Sequence, residues 1–331
     1  MYRSFYHLTA KPFRLTPDPR FYFNARSHKR ALAYLLYGVR QGEGFVVISG
    51  DVGTGKTTLM MTLAKNLERH NVLSAKIVTT QLDADDLLRV LCAELGLPFE
   101  RDSKAMLLKT LEEFLRECLY QHKRVILIID EAQNLPPRSV EELRMLSNFQ
   151  LANRPMLQTF LLGQRELRQL MRSRGFEQLR QRVMAAYHLE PFSSEETRSY
   201  IEHRLRLASW KSDPTFADEV FEGVHRFTNG VPRRINILCD RLLLFACLEE
   251  KHDIRPDTLE AVASEMRQDE MGDLRNGDTG RYTARADNKP PTDDDDRFSE
   301  LEQSVALLSK SLKEEIARLR EAVVETSIRK H

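Results

Sequence analysis

Phe45-Val46-Val47-Ile48-Ser49-Gly50-Asp51-Val52-Gly53-Thr54-Gly55-Lys56-Thr57-Thr58 is the stretch from which the fold can be read. Its first four residues form an apolar run that reads as a buried strand, and Gly50 to Thr57 fit G-x-x-x-x-G-K-[ST]. Strand, glycine-rich turn and helix, in that order, are the context in which this motif cradles phosphate. Glycines let the backbone turn so that successive N–H groups point at phosphate oxygens. The helix that follows adds the positive end of its dipole. Gly50, Asp51, Val52, Gly53, Thr54, Gly55, Lys56, Thr57 and Thr58 are therefore the candidate ATP-binding residues. Lys56 would neutralise the β- and γ-phosphates, and the Thr57 hydroxyl would ligate Mg2+.

A second apolar run, 125–129, delivers the acidic pair Asp130-Glu131. Asp-Glu at a strand end is a weak signal alone and a strong one downstream of a phosphate-binding loop. Asp130 would hold Mg2+ through its water shell, and Glu131 would orient and deprotonate an attacking water.

Outward from these two motifs, strands and helices alternate. Residues 27–41 carry apolar positions at helical spacing, 75–78 reads as a strand, and 85–95 and 104–120 as amphipathic helices. Residues 157–162 form another strand and 185–189 a weaker one. This alternation predicts an α/β domain over 27–191, with a parallel sheet covered on both faces. Before it lies an arm, 1–26, rich in Pro and aromatic residues, expected to pack its rings onto the domain that follows. After Pro191 only helical patterns remain, at 200–207, 214–227, 232–250 and 256–268. The first follows a Ser194 cap with Glu195 and Glu196 in its opening turn, and the set predicts a small all-helical lid over 192–267. Residues 268–297 turn polar, with four aspartates at 293–296, and read as a disordered linker. Residues 298–331 return to an apolar stripe through Leu301, Val305, Leu308, Leu312, Ile316, Leu319 and Val323. That stripe suits a short coiled coil or a helix that docks on a partner.

Composition narrows the function classes. Lys and Arg number 50 against 49 Asp and Glu, so no overall bias toward nucleic acid or acidic membrane exists and any such argument must be local. No apolar run approaches the ~18 residues of a membrane span, and the N-terminus lacks a signal-peptide pattern, so the expected location is the cytoplasm. Cys92, Cys118, Cys239 and Cys247 sit in apolar helical contexts without metal-ligand spacing and read as reduced core residues. Arg165, Arg168, Arg172, Arg174, Arg180 and Arg182 crowd one helical stretch. A solvated basic face, a nucleic-acid patch and an arginine finger reaching a neighbouring subunit's ATP are all compatible with it. Arg233, in Gly230-Val231-Pro232-Arg233, opens a helix of the lid, where a surface arginine and one that touches the γ-phosphate are equally compatible with the residues.

The chain resembles the AAA+ ATPases of the ExeA/GspA secretion type, and within them the XrtA/PEP-CTERM system-associated ATPases. The resemblance covers about residues 1–265. It rests on FYHLTAKPFRLTPDPRFYF, GDVGTGKTT, VTTQLDADDLLR, IDEAQNLP, EELRMLSNFQL, LLGQREL, LRQRV, YIEHRLRLASW and GVPRRINILCDRLLL. It implies a five-stranded parallel sheet with a helical lid and ATP bound between subunits of a ring. It assigns Lys56 and Thr57 to Walker A, Asp130 and Glu131 to Walker B, Gln164 to sensor 1 and Arg233 to sensor 2. Arg182 becomes the trans arginine finger, with Arg180 the alternative. It also implies a homo-oligomer that drives or regulates an envelope export system, for exopolysaccharide or exosortase-linked secretion. The partners would be inner-membrane export or polysaccharide-biosynthesis proteins, reached through the C-terminal helix and placing the chain peripherally at that membrane. The competing expectations are a DNA-dependent ATPase of transposition or regulatory type and a nucleotide-gated scaffold with little turnover.

Overall fold

Strands that carry apolar residues on both faces must be covered on both, and this requirement organises residues 1–277, which the computed structural model describes apart from 17, 68–70, 79–80 and 101–102. A short N-terminal helix α1 (Tyr2–Phe5) precedes α2 (Arg26–Gln41), β1 (Phe45–Gly50), α3 (Lys56–Leu67), β2 (Val72–Val78), α4 (Ala84–Glu94), α5 (Lys104–Tyr120) and β3 (Arg124–Asp130). There follow α6 (Pro137–Leu146), the hairpin β4 (Gln150–Leu151) and β5 (Arg154–Pro155), then β6 (Leu157–Gly163), α7 (Arg165–Arg172), α8 (Glu177–Arg180) and β7 (Val183–Leu189). The lid contains α9 (Ser194–Leu207), β8 (Thr215–Phe216), α10 (Asp218–Thr228), α11 (Pro232–Leu248), β9 (Asp253–Ile254) and α12 (Pro256–Gly277).

The five main strands pair in parallel in the order β2-β3-β6-β1-β7. Phe45, Val47, Leu127 and Ile129 point to one face, where α4 to α8 cover them. Val46, Ile48, Ile126, Ile128 and Phe160 point to the other, under α2 and α3. The period-two alternation of a strand thus fills two separate cores. Parallel strands also put all their C-terminal ends on one edge, so the loops after β1, β3 and β6 emerge side by side.

The lid is helical except for a two-residue parallel pairing of β8 with β9, which the helical periodicity did not reveal. Its first helix carries a capping box. Ser193 Oγ accepts from Glu196 N–H at 3.2 Å and Glu196 Oε2 accepts from Ser193 N–H at 3.1 Å, so the cap is Ser193 rather than Ser194. The other Glu196 oxygen accepts from Arg26 N–H at 2.8 Å, so one carboxylate ties the starts of α9 and α2 together.

The arm departs from expectation. Most of its rings pack on the lid and not on the α/β domain, because both sheet faces are already covered while α9 and α11 present an open apolar surface. Tyr2, Tyr6, Leu8 and Phe13 bury in one cluster with Ile201, Leu205, Leu238 and Leu242. Polar bonds fix the register: Tyr2 Oη donates to the Asp240 carboxylate, Tyr6 Oη to the Lys251 carbonyl at 2.8 Å, and Arg204 Nη1 to the Pro12 carbonyl at 3.0 Å. The arginine-rich stretch is not one helix. An extended Ser173 and a 3-10 turn, Arg174–Phe176, break it between α7 and α8. Helix α12 continues to Gly277, ten residues into the expected linker. The remaining linker, with its aspartate run, and the C-terminal helix over 298–331 with its coiled-coil reading lie outside the described residues.

Phe13, 1% exposed, anchors the arm. Phe13→Ala should destabilise the protein by about 3–5 kcal/mol in urea unfolding. Leu15→Ala, at a 54% exposed position of the same arm, should change stability by no more than about 0.5 kcal/mol.

Candidate functional site

The loop between β1 and α3 has the conformation that its glycines permit. Gly53 (φ 82°) and Gly55 (φ 95°) take left-handed backbone. Each is also closely approached. A Cβ at Gly53 would lie 2.5 Å from Arg233 Cβ, and one at Gly55 would lie 3.0 Å from His28 Nε2. Lys56 Nζ donates to the Gly50 and Asp51 carbonyls at 2.8 and 3.0 Å, and burial pushes its pKa down against the pull of Glu131 and Asp130. Thr54 Oγ1 donates to the Asp51 carbonyl at 2.8 Å. Val52, Thr57 and Thr58 line the cleft above the loop.

Strand β6 lies between β1 and β3, so Gln164 emerges between the loop and the acidic pair. Thr57 Oγ1 donates to Asp130 Oδ2 at 2.8 Å. Two hard oxygen groups so placed suit Mg2+, which takes few protein oxygens and keeps water and phosphate in its shell. Glu131 adopts left-handed backbone (φ 54°), an uncommon conformation for a non-glycine residue that clusters at working sites. Its Oε2 accepts from Gln133 Nε2 at 2.6 Å and from Gln164 Nε2 at 3.0 Å. Burial pushes the Glu131 carboxyl up, but these two amides and the Lys56 ammonium outweigh it and leave its pKa below the ordinary value.

The lid closes the cleft from above. Arg233 N–H donates to the Gly53 carbonyl at 3.1 Å, and Arg233 lines the cleft with Tyr200, Arg204 and Asn236. From the arm come Arg14, Phe21, Tyr22 and Phe23, and from α2 comes His28. His28 stands between the Tyr22 and Phe192 rings, at centroid distances of 6.1 and 5.4 Å. Its Nε2 lies 3.1 Å from the Thr54 carbonyl, which can only accept, so the proton sits on Nε2. Tyr22 Oη, His28 Nδ1 and Arg204 Nε are buried here with no hydrogen-bond partner among the described residues.

Not every arginine of interest reaches this cleft. Arg182 is at the opposite edge of the sheet, where its carbonyl accepts from Phe45 N–H at 2.9 Å and its Nη1 donates to Ser147 Oγ at 2.7 Å. Arg180 is exposed and bonds the Met171 carbonyl at 3.4 Å. Arg165, by contrast, turns back to pair with Asp51 of the loop, Nη2 to Oδ2 at 2.7 Å. The Arg174 side chain lies outside the described residues. Gln133, His28 and the Arg165–Asp51 pair carry no motif of their own. Gln133 and Arg165 fall inside the runs IDEAQNLP and LLGQREL, Arg165 also in the arginine cluster and Asp51 in the phosphate loop, but none of these signals shows the contacts made.

A parallel sheet of this strand order, a phosphate-type loop after β1, an acidic pair after β3, a polar residue after β6 and a helical lid bearing an arginine define the P-loop AAA fold. Residues 39–171 match the AAA domain family. The chain is 37% identical over 270 residues to General secretion pathway protein A of Aeromonas hydrophila, covering 80% of this chain and 48% of that protein. It thus spans about half the length of the curated relative it matches. Among solved structures it is similar to CDC6P from Pyrobaculum aerophilum, with a TM-score of 0.59 and 16% identity over 80% of this chain and 70% of that one. It is also similar to the Aeropyrum pernix ORC1 protein in complex with DNA, with a TM-score of 0.55 and 18% identity over 80% of this chain and 71% of that one. Identities this low carry the fold alone. No described helix is long and apolar enough to cross a membrane.

His28 supplies a pH test of this packing. Desolvation lowers its pKa from 6.5 to about 4, against the opposing pull of the Thr54 carbonyl and Glu196. Above pH 6.5 both folded and unfolded chains hold it neutral, so it contributes no pH dependence. As pH falls toward 4 the unfolded chain takes up a proton that the folded chain refuses. Stability should therefore drop by about 3 kcal/mol across that window through this residue. Urea unfolding at several pH values should show a flatter acid limb for His28→Phe than for the wild type, and parallel limbs would contradict this account.

Proposed function

We propose that the chain is an oligomeric ATPase that hydrolyses Mg-ATP in this cleft and uses the cycle to drive or regulate an envelope export system. The observation that carries the proposal is the convergence of Lys56, Thr57–Asp130, Glu131–Gln164 and Arg233 on one cleft. The triphosphate lies along the loop from Gly50 to Thr58, with backbone N–H groups and Lys56 on its oxygens. The base lies toward Tyr22, His28 and Phe192. Thr57 and, through water, Asp130 would hold Mg2+, which neutralises developing charge on the phosphates when bound. Glu131 accepts a proton from water as the water oxygen bonds to Pγ and the bond from Pγ to the bridging oxygen breaks, leaving ADP and phosphate. Gln164 contacts the γ-phosphate and the attacking water, and Arg233 reports on the γ-phosphate from the lid.

Arg182 is the trans finger in this proposal, with Arg180 the alternative. Its distance from its own chain's loop supports a role toward a neighbour's site. The export reading draws on the 37% identity to General secretion pathway protein A. The finer assignment, to exopolysaccharide production or exosortase-linked secretion at the inner membrane, draws on the motif resemblance. Similarity to a DNA-bound structure at 18% identity does not raise the DNA-dependent reading above it.

The test is ATPase rate against protein concentration. Wild-type specific activity should rise with concentration, and Arg182→Ala should abolish the rise while ATP still binds. Glu131→Gln should lower turnover by roughly 10²–10⁴-fold and retain bound ATP. Activity independent of both concentration and Arg182 would mean that each chain works alone, and wild-type turnover in Glu131→Gln would remove the base.

A further inference from the structure

We propose that Gln133 is the positioning residue of this site, tying the Glu131 carboxylate to Gln164 so that the two are held as one unit. The inference rests on the reading of Glu131 as the group that takes the water proton.

Gln133 uses both ends of its amide. Its Oε1 accepts from the Gln164 backbone N–H at 3.0 Å, and its Nε2 donates to Glu131 Oε2 at 2.6 Å. The Gln164 side chain closes the ring by donating Nε2 to the same carboxylate oxygen at 3.0 Å. The orientation of the Gln133 amide follows from its neighbours: a backbone N–H can only donate and a carboxylate can only accept. A glutamate here could not donate, a lysine could not accept, and an apolar side chain could do neither. The strand after which Gln164 emerges is shaped for this contact. A Cβ at Gly163 would lie 2.6 Å from Gln133 Oε1, so the glycine leaves the amide its place against β6.

The arrangement gives the two glutamines different tasks. Gln164 lies in the gap between the loop and Glu131, so its amide can turn to a γ-phosphate oxygen. Gln133 belongs to the turn after β3, two residues from Glu131, so its bond to the carboxylate can persist when Gln164 turns away. Without Gln133 the carboxylate would lose its alignment at the step that needs it, and the backbone of Gln164 would lose its anchor to the turn after β3. Misplacement of a reacting group by ~1 Å can cost about 10²-fold in rate.

Steady-state ATP hydrolysis by the full chain decides the matter, comparing wild type with Gln133→Met, Gln133→Glu and Glu131→Gln. Gln133→Met should lower kcat by about 10²-fold with KM for ATP held within about twofold. Gln133→Glu, which keeps the acceptor for Gln164 N–H but sets a carboxylate against Glu131, should lose at least as much. It carries the same test should Gln133→Met fail to fold. If Glu131→Gln is inactive while either Gln133 variant keeps near-wild-type kcat, the positioning role is overturned and the reading of Glu131 stands. A KM that rises in step with the fall in kcat would mark Gln133 as part of the binding cleft, and would also overturn it. Wild-type turnover in Glu131→Gln would overturn the reading and the positioning role together.

Discussion

The backbone bond from Arg233 N–H to the Gly53 carbonyl, 3.1 Å long, is the constraint on which the cleft depends. It joins the first turn of a lid helix to the crest of the loop after β1. The joint requires a glycine twice over. Left-handed backbone at position 53 suits glycine, and any Cβ there would strike the Arg233 side chain. Lid and sheet are therefore held together at the loop that would take the phosphates.

The arm extends this coupling. Its first residues are bonded to α11 and to the Lys251 carbonyl, and Arg204 of α9 holds the Pro12 carbonyl. Its later residues, Phe21 to Phe23, line the cleft. Glu196 completes the set by accepting from the start of α2 while capping α9. The arm is thus bonded to the lid at one end and lines the cleft at the other. Among the described residues, buried polar atoms on Tyr22, His28 and Arg204 have no hydrogen-bond partner, which suits the aromatic end of the cleft to a ligand with donors and acceptors.

Much of this was legible in the sequence, and the boundary is physical. Strands β1, β3 and β6 declare themselves as apolar runs because they are buried on both faces. The loop and the acidic pair declare themselves because each motif is local. Contacts made across the fold leave no such mark. Arg165 and Asp51 are 114 residues apart, and Glu196 and Arg26 are 170 apart. Neither pair can be read from spacing. The surface that receives the arm is hidden for the same reason, since aromatic residues announce burial but not which surface receives them. The hairpin of β4 and β5 and the short pairing of β8 with β9 were too brief for any periodicity to show. Gln133 was present in a quoted motif, yet its role appears only when the turn after β3 is set beside the end of β6.

Hydrogen exchange of the full chain with and without Mg-ATP tests the central claim most directly, because it reports on backbone segments separately. If the cleft joins loop, arm and lid around one nucleotide, ATP should slow exchange in residues 50–58, 18–23 and 231–236 together. Protection confined to residues 50–58, with arm and lid unchanged, would contradict the claim that the three parts form a single site.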